Sequence, residues 1–231
     1  MSDFGFRGIP MGRVLAEAVS YFVGLDLGQS QDHSALAVVE RADLILDEID
    51  HVTYERLKER LYRVRFLERV ALGTPYPNVV ERVRAVVRAK PLVGQCTLVM
   101  DATGVGAPVV DMLRLAQLGC RIEPVILTGG EWESGAEGVW CVPKQNLVAG
   151  LRLMLENREL GLPLMYGPSQ LLVKEMTEME TWMGERGGRC FGSRREGAHD
   201  DLVMASALAC WRARRRELPG VWGTRSLGLS H

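Results

Sequence analysis

Cys96-Thr-Leu-Val-Met100 is a continuous apolar stretch that stops at Asp101, with Gly104 and Gly106 close behind. A strand of that kind is buried on both faces, so it belongs at the centre of a sheet with helices above and below. The flanking segments agree. Tyr21–Leu27 and Ala35–Glu40 read as two strands of a hairpin, and Leu61–Val70 alternates as a third strand. Pro77–Ala89 carries Val79, Val80, Val83, Val86 and Val87 at helical spacing behind a favourably placed proline. Beyond the central strand, Pro108–Leu118 is predicted as a helix ended by Gly119, and Arg121–Leu127 as a strand. Pro143–Arg158 reads as a helix, Leu162–Met165 as a short extended piece, Pro168–Met183 as a helix, and about Asp200–Arg214 as the last one. Three early strands followed by strand–helix alternation predict an α/β fold with a mixed central sheet, its first three strands antiparallel, flanked by helices.

A chain of 231 residues, 47% hydrophobic, can bury one substantial core with appendages. Residues 1–19, crowded with Gly5, Gly8, Pro10 and Gly12, are expected to be a tail or linker. Residues 20–217 then form one domain, and 218–231 a C-terminal tail. Within the domain, Leu44–Arg60 is charged and mixed in pattern and reads as an insertion, whereas the glycine-rich stretch Thr128–Gly138 reads as a mobile loop. No run of about 18 apolar residues exists and no secretory leader is visible, so a cytoplasmic protein with no membrane contact is expected. The five cysteines are odd in number and scattered, which indicates neither a disulfide framework nor a zinc site. A net charge of −1 gives no global attraction to polyanions, so a nucleic-acid contact would need a local basic surface. The basic residues are almost all arginine, which suits bidentate phosphate contacts but is explained first by codon bias.

Chemistry concentrates at three carboxylate stations. Asp26 interrupts the apolar run Val23-Gly-Leu-Asp-Leu-Gly28, where an unpaired charge would cost several kcal/mol. A buried salt bridge would satisfy it, but Asp101 repeats the arrangement at the end of the central strand, where ligands collect in sheets of this kind. The third station is Ala198-His-Asp-Asp-Leu202, in which Asp200 and Asp201 open an apolar helix. One of that pair is accounted for by helix capping; two in succession after a histidine exceed what capping needs. Three stations of hard oxygen donors suit a pair of magnesium or manganese ions rather than zinc. Two such ions about 4 Å apart would activate water for in-line attack on a phosphodiester without a nucleophilic side chain.

Taken in order, Gly24-Leu-Asp-Leu-Gly-Gln-Ser-Gln-Asp-His-Ser-Ala35, Val99-Met-Asp-Ala-Thr-Gly-Val-Gly106, Val142-Pro-Lys144 and His199-Asp-Asp-Leu-Val-Met-Ala205 resemble the nuclease domain of tailed-phage terminase large subunits. These proteins have a ribonuclease H-like fold and cut concatemeric phage DNA during packaging. The likeness spans about residues 21–215. It implies that Asp26, Asp101 and one of Asp200 and Asp201 are metal-binding catalytic aspartates. The spacing to Leu202 favours Asp200 as the ligand, leaving Asp201 to assist or cap. Asp32 and His199 become accessory candidates, although a turn aspartate and a histidine ahead of a helix are commonly just surface or cap residues. Lys144, Arg194 and Arg195 become DNA contacts, and Arg212, Arg214, Arg215 and Arg216 a further basic surface. The implied partners are double-stranded DNA, a terminase small subunit, a portal and a packaging ATPase, in the cytoplasm of a bacterial host. No G-x-x-x-x-G-K-[ST] loop occurs in the chain, so ATP hydrolysis is not expected of it, and the motor is expected to have been removed or to belong to another polypeptide.

Two other enzyme classes share parts of this pattern. A Holliday-junction resolvase of the same fold would keep the metal site and change the substrate. The actin and sugar-kinase superfamily has a similar Asp-x-Gly turn, as in Asp26-Leu-Gly28, but needs two lobes and gives no reason for the His-Asp-Asp station. A non-catalytic binding or assembly module would require all three acid stations to be structural.

Overall fold

The structure is a computed structural model and describes residues 12–28, 32–104, 106–136, 138–163, 165–183, 189–192 and 199–215. Strands β1 (Val14–Asp26), β2 (Ala35–Ile49) and β3 (Arg56–Arg69) come first, followed by helix α1 (Tyr76–Val87), β4 (Cys96–Asp101) and α2 (Gly106–Leu115). Next are β5 (Arg121–Thr128), β6 (Ser134–Ala136), β7 (Val139–Pro143), α3 (Lys144–Glu156) and β8 (Leu160–Gly161). Helix α4 (Gly167–Glu178), strands β9 (Glu180–Met183) and β10 (Arg189–Gly192), and helix α5 (Asp201–Arg214) complete the order. The main sheet has eight strands in the order β6-β7-β5-β4-β1-β2-β3-β8. β1, β2 and β3 pair antiparallel, whereas β1 with β4, β4 with β5 and β5 with β7 pair parallel. This is the predicted mixed sheet with three early antiparallel strands, and among the described residues there is no second lobe.

Two cores flank the sheet. On one face Leu25, Val23, Leu98 and Met100 pack with the valine stripe of α1 and with Val109, Val110 and Leu113 of α2. On the other, Val99, Ala35, Ala37 and Leu67 pack with α3 and with α5, which is buried almost all round. α5 lies directly on β1: a Cβ on Gly24 would stand 1.8 Å from the Ala205 carbonyl oxygen. Glycine is therefore the residue that admits α5 at this depth.

Four sequence expectations change. β1 starts at Val14, so residues 14–19 belong to the sheet. Leu44–Arg60 is no insertion, because β2 and β3 run through it as a long hairpin with a small core of Ala42, Leu44, Leu46 and Leu61. Its register is marked by cross-strand charge pairs, Arg60 with Asp43 at 2.6 Å and Arg56 with Asp47 at 2.8 Å, beside the alternation of buried Ala42, Leu44 and Leu46. The supposed loop Thr128–Gly138 contains β6, paired antiparallel with β7. The helix expected over Pro168–Met183 ends at Glu178, and β9, which follows with neither glycine nor proline between, pairs antiparallel with β10. No described helix is long and apolar enough to cross a membrane.

Candidate active site

Sheet register assembles the site. Arg69 of β3 lies opposite Ala35 of β2, and Ala35 lies opposite Asp26 of β1. On the other side Leu25 is level with Met100 of β4, so the next residues, Asp26 and Asp101, leave adjacent parallel strand ends side by side. Leu25 and Met100 point into the α1 and α2 core, and the pleat therefore turns both aspartates toward α5. α5 starts over that face, carrying Asp200 as its N-cap and Asp201 in its first turn.

The charges show how closely these acids interact. Burial pushes Asp26 well above the usual carboxylate range, and the charges of Asp101, Asp201 and Asp200 push it further, against the opposing pull of Lys144. Burial also raises Asp101, although the Thr103 side chain and its amide, donating to Asp101 Oδ1 at 2.7 Å, work the other way. Asp201 is raised by burial, opposed by Arg69 and His199. Lys144, the first residue of α3, donates to Asp200 Oδ2 at 2.7 Å and thus brings one ammonium into a group of four carboxylates. Asp201 Oδ2 is buried and has no hydrogen-bond partner, the nearest basic nitrogens being Arg69 Nε at 3.6 Å and His199 Nδ1 at 3.7 Å.

Of the predicted residues, Asp26, Asp101, Asp200, Asp201, Lys144 and His199 come together on this face. Lys144 meets an aspartate rather than open solvent. Asp32 is exposed in the turn after β1, with its backbone against Gly28. Arg194, Arg195 and Arg216 lie outside the described residues. Of the arginines anticipated as a basic surface at the end of α5, Arg212 is buried against Glu123 at 2.7 Å and Arg215 pairs with Glu133 at 2.5 Å while stacking on Trp140 and Trp211, whereas Arg214 is exposed. Sequence reasoning missed three participants. Glu175 of α4 bonds Arg69, and the His33 ring stands edge-on to His199 at 5.1 Å. Arg69 and His33 adjoin strand ends that were legible; Glu175 carries no such signal, because its partners are distant in sequence.

The donor set fits divalent cations in kind and in charge. It is all carboxylate, it holds one buried oxygen without a partner, and its acids repel one another in a way that a bound cation would relieve. Among the described residues, however, no three His, Cys, Asp or Glu side chains stand close enough to form a cage around an ion. Asp26 and Asp101 would hold such an ion from the sheet, and Asp200 or Asp201 from the helix.

The mixed sheet, with three antiparallel strands first and helices packed on both faces, is a ribonuclease H-like fold. In particular, the chain has the fold of phage large terminase nuclease domains. The large terminase nuclease from thermophilic phage G20c with bound cobalt aligns with a TM-score of 0.56 at 22% identity, covering 84% of this chain and 81% of that one. A mutant nuclease domain of the large terminase subunit of bacterial virus Sf6, with manganese, aligns at 0.53 and 13% identity over 83% and 88% of the two chains. No family model and no curated protein matches the sequence.

Proposed function

We propose that this chain is a metal-dependent DNA endonuclease, the nuclease part of a phage terminase that cuts concatemeric DNA during genome packaging. The observation that carries this reading is the row formed by Asp26 and Asp101 on adjacent strand ends, opposed by Asp200 and Asp201. The cobalt and manganese in the two neighbouring structures support a divalent ion here; the reading takes it to be magnesium or manganese, bound as a pair. Bound ions would supply a water activated at neutral pH and a positive field at the leaving oxygen of the phosphodiester.

The residues of the chain then have distinct tasks. Asp26 and Asp101 hold their carboxylates rigidly, because each ends a buried strand. Asp200, accessible and bonded to Lys144, is the helix ligand; Asp201, buried beside Arg69, supports it. Lys144 leaves Asp200 for a DNA phosphate oxygen when substrate arrives, so its charge remains within the site throughout. His199, beside Asp201, and Asp32, in the turn after β1, orient substrate, and Arg194 and Arg195 contact the DNA backbone. Double-stranded DNA is the substrate, delivered by a small subunit, a portal and a packaging ATPase.

Nicking of supercoiled plasmid in magnesium, manganese or chelator, with the parent chain and Asp101→Ala side by side, tests the reading. Cutting that needs metal and disappears in the variant supports it. Equal cutting by both proteins, or cutting in chelator, overturns it.

A further inference from the structure

α5 begins beneath a carboxylate that belongs to another helix. Its N-cap, Asp200, makes no capping bond with its own side chain. Glu175 of α4, only 4% exposed, instead reaches across and accepts the Val203 amide at Oε2, 3.1 Å away, in the first turn of α5. A carboxylate there satisfies an otherwise unpaired amide and meets the positive end of the helix dipole. Its other oxygen accepts from Arg69 Nη2. Arg69 ends β3, in the row it shares with Ala35 and Asp26, and its Nε lies 3.6 Å from the unpartnered Asp201 Oδ2. One guanidinium thus spans the acid that caps α5 and an acid that α5 carries into the site.

A buried ion pair usually adds little stability over an apolar pair of the same shape, because both charges lose their water. Its geometric specificity is what an apolar pair would lack. Here that specificity is directed at the start of α5, whose placement decides whether Asp200 and Asp201 face Asp26 and Asp101. We infer that Glu175 and Arg69 are positioning residues, a clamp from α4 and β3 that sets the helix-borne ligands against the strand-borne ones; this rests on the metal-dependent reading above. Neither residue touches substrate or ion.

The test measures Mn2+ binding by calorimetry, well below the melting temperature, for three proteins: the parent, Glu175→Gln, and the double variant Arg69→Met with Glu175→Leu. The double variant replaces the pair by apolar groups of similar size and is expected to fold, and Glu175→Gln decides the matter if it does not. Hydrogen exchange at the Val203 amide is followed alongside. The clamp predicts Mn2+ affinity about 10-fold weaker or worse in the folded variants, as for other groups that orient ligands, with faster Val203 exchange in the double variant. A purely structural ion pair would lower the melting temperature and leave the affinity of the folded protein unchanged. Parent-like Mn2+ affinity in both variants overturns the clamp while sparing the metal site. A parent that binds no Mn2+ overturns the metal reading, and the clamp falls with it.

Discussion

Glu40 and Asp26 are both acids in the same sheet, and they titrate in opposite directions. Glu40, in the middle of β2, is pushed up by burial, yet hydrogen bonds from Arg65 and Arg63 at 2.8 and 2.9 Å prevail and hold it below its usual range. Asp26 meets three further carboxylates and a single opposing lysine, and it rises. The hairpin end of the sheet pairs its acids with arginines; the α5 end gathers more acids than cations. Left to itself, such a gathering destabilises the fold, and on the proposed reading a bound cation would relieve it.

Removing the gathered acids should have the largest effect. Asp26→Ala or Asp101→Ala is expected to lower plasmid nicking by at least about 10³-fold, or roughly 4 kcal/mol of transition-state stabilisation. Glu40→Ala, by contrast, should leave nicking at the parent level and destabilise the fold by about 1 to 3 kcal/mol in denaturant melts, because Arg63 and Arg65 lose their partner. Nicking that fell with Glu40→Ala would erase the distinction between the two regions.

The pH dependence sharpens it. Asp26, Asp101 and Asp201 are raised, and Glu175 is pushed up to about 7 by burial, against the Val203 amide and Arg69. For such groups the unfolded chain ionises first, so stability is greatest below their ordinary values and is lost as pH rises through the folded ones. Glu40 acts the other way, its contribution being present above its ordinary value and lost as pH falls through the lowered one. In chelator, the melting temperature should therefore fall between about pH 5 and pH 7.5, and Glu175→Gln should flatten part of that slope. A melting temperature that rose over this range would contradict the assignment. The smallest effect belongs to the exposed hairpin pair: Arg56→Ala, which breaks the contact with Asp47, should change stability by no more than about 1 kcal/mol.

Much of this was legible in the sequence. The buried run ending at Asp101, the strand ending at Asp26 and the helix opened by Asp200 and Asp201 each carry a local signal, and topology does the rest by bringing their ends together. The long β2–β3 hairpin was hidden, because the short alternation Ala42, Leu44 and Leu46 sits among Arg41, Asp43, Ile45 and Asp47, whose charges read as an insertion until their cross-strand partners are seen. β9 was hidden because Glu178 and Met179 give no stop signal. Glu175 was invisible for a further reason: its role is defined by an amide and an arginine far away in the chain, and on α4 it reads as an ordinary helical glutamate.

The most direct test of the central claim is thermal melting of the parent and of Asp26→Asn, each in chelator and in excess Mn2+ at pH 7.5. If the α5 end is a cation site held short of positive charge, Mn2+ raises the melting temperature of the parent by several degrees. Asp26→Asn is then more stable than the parent in chelator, by about 1 to 2 kcal/mol, and gains little from Mn2+. A parent unmoved by Mn2+, or an Asp26→Asn variant that is less stable in chelator and gains as much from the ion, would contradict it.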